Sequence, residues 1–150
     1  MAVRIQTDDF DAGAEIARMR HDNPAIGAIA CFIGLVRDVN AGDRVSQLTL
    51  EHYPGMTQKA LEQIVEQAKA RWDLIELLVI HRIGQLSPTD QIVLVAVASA
   101  HRGEAFAACE FVMDYLKTQA PFWKKESTPQ GSRWVEARSS DEVAAQRWTR

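Results

Sequence analysis

Ile92-Val93-Leu94-Val95-Ala96-Val97-Ala98 is apolar at every position. A strand with one face in water alternates, whereas a run apolar on both faces belongs inside a sheet covered on both sides. Residues 91–100 are therefore expected to form the central strand. Upstream, residues 74–81 read as a second strand, joined to the first through Gly84 and the turn Ser87-Pro88-Thr89-Asp90. Downstream, residues 103–118 read as an amphipathic helix with Phe106, Cys109, Val112, Met113 and Leu116 inward. Pro121 bars its continuation.

The same reading extends to both ends. Residues 122–127 and 133–138 form two strands around Thr128-Pro129-Gln130-Gly131, a closing C-terminal hairpin. Before the core, Pro54-Gly55 punctuates the chain, and Met56, Ala60, Leu61, Ile64, Val65, Ala68 and Trp72 recur at helical spacing. Residues 46–53 alternate, with Leu48, Leu50 and His52 on one face. Residues 26–37 are mostly apolar and read as a buried strand, with Gly27 and Gly34 marking a bulge or a close backbone approach. Residues 38–45 read as a mobile loop and residues 11–20 as a short helix. The order is not a regular βαβ alternation. The expected class is α+β, a mixed and largely antiparallel sheet with two principal helices and a C-terminal hairpin, over one domain spanning residues 1–150.

The chain has 150 residues, 47% hydrophobic and 25% charged, enough for one packed core. It has no apolar run of membrane-spanning length and its first residues lack a secretory apolar segment, so the cytoplasm is the expected location and no membrane partner is expected. The net charge of −3 does not favour nucleic acid. Its distribution is uneven: residues 117–138 hold Lys117, Lys124, Lys125, Arg133 and Arg138 against Glu126 and Glu136. A basic cluster on an acidic chain suits a small anionic ligand or an anionic tail. Cys31 and Cys109 lie among apolar neighbours outside any CxxC pair, and both are expected to be buried, reduced thiols. A persulfide role would need an exposed, electropositive thiol.

The sequence has no P-loop, GxGxxG, GxSxG or HExxH, and its four histidines lack metal-ligand spacing, so no metal site is expected. What remains is basic. Lys117 borders the apolar stripe of its helix; it is either half-buried with a lowered pKa or a solvated lysine at a helix C-terminus. Lys124 shares a strand face with Phe122 and Glu126 while Lys125 faces the other way. That pattern suits stacking of a flat anionic heterocycle or an edge strand guarded by charge. His101-Arg102 follows the central strand and opens a helix, as an anion site or a capping pair. Arg37 ends another strand, as a phosphate clamp or a plain strand-end charge.

Several stretches in fixed order resemble the large-subunit family of molybdopterin synthase: Leu50-Glu51-His52-Tyr53-Pro54-Gly55-Met56, His81-Arg82-Ile83-Gly84, Ser99-Ala100-His101-Arg102, Asp114-Tyr115-Leu116-Lys117, Ala120-Pro121-Phe122-Trp123-Lys124-Lys125-Glu126 and Arg133-Trp134-Val135-Glu136-Ala137-Arg138. The resemblance runs from about residue 27 to the C-terminus and implies an α/β hammerhead-type fold. It implies a sulfurtransferase that converts cyclic pyranopterin monophosphate into molybdopterin. The sulfur comes from the C-terminal Gly-Gly thiocarboxylate of a small ubiquitin-like partner. A heterotetramer built on a homodimer of this chain is implied, with no cofactor or metal needed at this step. Carried over by motif, Lys117 and Lys124 are the catalytic residues. Lys117 would transfer protons and stabilise the oxyanion, and Lys124 would orient the pterin. Arg37, His101, Arg102, Lys125 and Glu126 would bind substrate, with Arg138 contributing from the facing subunit. Leu35 stands where some relatives carry lysine, so no side-chain role is carried to that position. Two other readings rest on the same residues: a module that binds a phosphorylated metabolite without chemistry, and a scaffold dimer whose lysines are surface residues.

Overall fold

The computed structural model describes residues 1–135 and 139–149. It holds two four-stranded sheets, a two-stranded ribbon and four α-helices among those residues. The first sheet has the order β1 (Ala2–Gln6), β6 (Glu76–Arg82), β8 (Gln91–Ser99), β2 (Ala28–Leu35); β1 runs parallel to β6 and the other pairs are antiparallel. The second, wholly antiparallel, has the order β10 (Gly131–Val135), β9 (Phe122–Thr128), β5 (Gln47–His52), β7 (Gly84–Leu86).

The doubly apolar run does sit inside a sheet, with β8 buried from Val93 to Ser99. Its two faces are covered by different elements. On one, Val93, Val95 and Val97 with Leu77 and Val79 of β6 pack against α2 (Met56–Arg71) and α3 (Arg102–Gln119) through Leu61, Ile64, Ala108, Phe111 and Val112. On the other, Leu94, Ala96, Leu78 and Ile80 meet Phe10 and α1 (Ala12–Arg20). Asp11 caps α1, its Oδ1 accepting from the Ala14 amide at 3.0 Å. The C-terminal α4 (Ser139–Gln146) packs on α3. The short 3₁₀ turn after it sets Trp148 edge-on to Trp72 and Phe111.

Four expectations are corrected. Residues 28–35 form a strand, but β2 is the outermost of its sheet, so Cys31, Phe32, Ile33 and Leu35 are exposed rather than buried. Phe106 is exposed rather than inward, because it lies about 100° round the helix from Ala105, which takes the core position. Met56, at the first turn of α2, is exposed as well. Residues 38–45 are not an open loop: β3 (Val39–Asn40) and β4 (Asp43–Arg44) make a tight hairpin. Its two central residues, Ala41 and Gly42, both take positive φ, as a two-residue hairpin turn of this hand requires.

Gly27 is a close-approach glycine. Its amide donates to the Ser99 carbonyl at 3.0 Å, and a Cβ there would stand 2.1 Å from the Ala100 carbonyl oxygen. Backbone must move to admit a methyl group. Gly27→Ala is expected to lower stability by about 2 kcal/mol, measured by urea denaturation; an unchanged midpoint would contradict this packing.

Candidate active site

Where α3 ends, the chain turns at Ala120-Pro121 and enters β9, which folds back beside the helix end. This corner brings Lys117, on the last turn of α3, to the same cavity as Lys124, third residue of β9. The cavity is about 580 Å³. Phe32 and Leu35 of β2, Arg37, and the hairpin residues Val39 and Asn40 form one wall; Leu116, Phe122 and His81 form the apolar floor. Glu126 and Asp141 are its acids. The outer half of β2 is exposed because it borders this cavity rather than a packed layer.

Of the two lysines, Lys117 is exposed and Lys124 is half-buried. Burial, and then the Lys117 ammonium close by, push the Lys124 pKa down to about 8. Strand alternation places Phe122, Lys124 and Glu126 on the cavity side, as expected. Lys125 is on the other face, its Nζ 5.8 Å above the Trp134 ring, so the expectation that it lines the same pocket is corrected.

His81 is a residue that sequence reasoning missed. It is the penultimate residue of β6, is 3% exposed and stacks on Phe122 with ring centroids 3.8 Å apart. Its Nδ1 lies 2.7 Å from the Arg82 carbonyl. A carbonyl only accepts, so Nδ1–H donates and the neutral ring carries no proton on Nε2. Burial pushes its pKa down to about 3, opposed by the Arg82 bond and reinforced by the charges of Lys124, Lys117 and His52. The available signal was a histidine closing an apolar strand in the His81-Arg82-Ile83-Gly84 stretch.

His101 and Arg102 do not join the lysines within one chain. They line a separate cleft of about 420 Å³ with Gly27, Ala28, Ala100 and Gly103, at the N-terminus of α3. Lys117 is at the opposite end of that helix, about 25 Å away along its axis. Arg138 lies outside the described residues. Cys31 is exposed, whereas Cys109 is buried with its thiol pushed up to about 12, first by burial and then by Cys31 and Glu110. A thiol so disposed holds its proton at neutral pH and is a poor sulfur nucleophile.

The arrangement offers two amines and a guanidinium to an anion in a partly apolar cavity, one amine able to gain or lose a proton near neutrality. The profile of the MoaE protein family matches residues 5–119. A molybdopterin synthase catalytic subunit from Ralstonia nicotianae is 68% identical over 146 residues, covering 97% of this chain and 83% of that protein. Among solved structures, the molybdopterin biosynthesis MoaE protein from Burkholderia ambifaria shares 60% identity at a TM-score of 0.85, covering 100% of this chain and 99% of that one. The molybdopterin synthase structure from Staphylococcus aureus shares 34% identity at a TM-score of 0.81, covering 89% and 96%.

Proposed function

The chain belongs to the MoaE protein family of molybdopterin synthase catalytic subunits, and from that premise we propose that the Lys117–Lys124 cavity is where it does its chemistry. The enzyme converts cyclic pyranopterin monophosphate to molybdopterin, taking two sulfurs from the C-terminal thiocarboxylate of a small ubiquitin-like partner in a heterotetramer. The observation that carries the site assignment is the convergence of two lysines in one cavity, with Lys124 at a pKa of about 8.

Both reactants are anions and repel each other, so the site must offset two negative charges where water is partly excluded. Arg37 and Lys117 hold the anionic groups at the cavity wall and helix end. As each carbon–sulfur bond forms on the pterin, a carbon–oxygen bond there breaks and its oxygen leaves, while the sulfur parts from the partner's acyl carbon, which water attacks to leave a carboxylate. The tetrahedral oxyanion formed there is stabilised by the Lys117 ammonium. Lys124, poised near neutrality, passes the protons that this exchange of oxygen for sulfur requires. The proton-transfer role expected of Lys117 thus moves to its neighbour. Neutral His81 keeps a further cation off the floor and, with Phe122, gives Lys124 its apolar surround.

His101 and Arg102 reach the same substrate only if a second copy brings the N-terminus of its α3 against this cavity. We therefore assign them, with Arg138, to the site across the homodimer. Residues 1–150 act as one domain, and the cytoplasm is the compartment we assign; among the described residues no helix is long and apolar enough to cross a membrane.

The test is reconstitution: purified chain, thiocarboxylated small subunit and cyclic pyranopterin monophosphate, with dithiolene product measured. Product is expected. No product, with the partner shown to be thiocarboxylated and bound, would leave a docking module without catalysis. The sulfur source has its own check. A folded variant carrying Cys31→Ser and Cys109→Ala is expected to keep product formation within about twofold of wild type; loss of activity in that folded variant would point to a protein thiol as carrier.

A further inference from the structure

Arg133, in β10, spends its guanidinium on three partners. Nε donates to Glu126 Oε1 at 3.2 Å, Nη1 to Asp43 Oδ2 at 2.6 Å and Nη2 to the Asn40 carbonyl at 3.0 Å. Asn40 Nδ2 donates to the same Glu126 oxygen at 3.0 Å. One planar fork thus ties β10 to β9 and to a hairpin some 90 residues earlier in the chain.

Two consequences follow for the cavity. The β3–β4 ribbon is two residues on each side and pairs with neither four-stranded sheet. A ribbon that short does not hold its place by its own ladder, yet Val39 and Asn40 are cavity wall. Glu126 is 5% exposed and shares the cavity face of β9 with Lys124. A buried carboxylate is held by a cation beside it, and Lys124 is at hand if Arg133 is removed.

We infer that Arg133 is a positioning residue of this site: it pins the β3–β4 hairpin as the cavity wall and occupies the Glu126 carboxylate, leaving the Lys124 amine to the substrate. The inference rests on reading the Lys117–Lys124 cavity as the active site. Among the described residues, the charged and titratable groups that bear on Lys124 are Lys117 from α3, His81 from β6, Asp141 from α4 and Glu126 on its own strand; Arg37 is on the same cavity wall. Glu126 acts to raise the Lys124 pKa and the other lysine to lower it, so freeing Glu126 moves the titration upward.

The experiment uses the full chain with isotope-labelled lysine. In Arg133→Gln, the Lys124 resonance is expected to titrate about one pH unit higher, and amides of residues 39–44 to lose exchange protection. The KM for cyclic pyranopterin monophosphate is expected to rise roughly tenfold, with the kcat–pH profile displaced to higher pH. Asp43→Asn weakens one tie of the hairpin and leaves Arg133 on Glu126 and on the Asn40 carbonyl. It should lose part of that amide protection with Lys124 titrating as in wild type. Unchanged Lys124 titration in Arg133→Gln, or a hairpin as protected as in wild type, would overturn the inference. Titration and exchange are read on the protein without substrate, so they stand apart from the catalytic reading. That reading fails separately, if Lys117→Ala keeps its turnover.

Discussion

Lys117→Ala is expected to fold, to bind its partner and to lose roughly 10²–10⁴-fold in turnover. The side chain is exposed on the last turn of α3 and is absent from the buried core, so its removal leaves no cavity in the packing. What is lost is the charge opposite the oxyanion and one of the cations that let two anions approach. A second effect accompanies it. The Lys117 ammonium helps hold Lys124 down, so the residual activity of Lys117→Ala should peak at higher pH than wild type. Thermal melting, partner binding and a single-turnover pH profile read the three parts separately. A variant that turns over at the wild-type rate would remove Lys117 from the mechanism.

Acid should destabilise this protein through His81. In the unfolded chain a histidine takes its proton near 6.5; buried in the fold, His81 does so only near 3. Between those values the unfolded state binds more protons, so stability is fully present above pH 6.5 and is lost as pH falls toward 3. The loss over the whole window is about 5 kcal/mol at most. Asp9 and Glu15 also contribute, since hydrogen bonds from Gln91 and Arg4 hold their carboxyls below the usual range. Their share is lost at still lower pH, because carboxylates take up protons near or below pH 4. The interval from pH 7 to pH 5 therefore isolates the imidazole. Wild type should lose stability across it, and His81→Gln should be nearly flat; parallel slopes would mean that His81 is not held neutral by burial.

How far the sequence carried this account depends on the distance over which each feature is decided. The central position of β8 was legible because a doubly apolar run has one stable place in a sheet. The helical stripe of α3 was legible except at Phe106, where a large apolar residue sits just off the buried face. The burial of β2 was misread for a similar reason: an apolar run announces a strand, but whether its outer neighbour is a strand or a cavity is settled by the tertiary fold. The β3–β4 hairpin carried only Ala41-Gly42 as its turn signal, and the clamp that places it comes from Arg133, far along the chain.

The site divides in the same way. Lys117 and Lys124 meet because Pro121 ends one element and the next strand folds back, a local consequence of the chain. Strand alternation by itself separates Lys125 from Lys124; carrying Lys125 into the pocket by motif set that rule aside, and the structure restores it. Neither His81 nor Arg133 could be singled out by spacing. The role of the first depends on burial beneath Phe122, and that of the second on partners brought together by the fold.

The central claim, that the substrate sits against the two lysines, is tested most directly by amine-reactive labelling at pH 8, read by mass spectrometry with and without cyclic pyranopterin monophosphate. Lys124 is expected to react readily without ligand and to be protected by it, Lys117 to be protected alongside it, and Lys59 and Lys69 on α2 to react equally in both samples. Equal labelling of Lys117 and Lys124 with and without saturating substrate would place the pterin elsewhere and contradict the account.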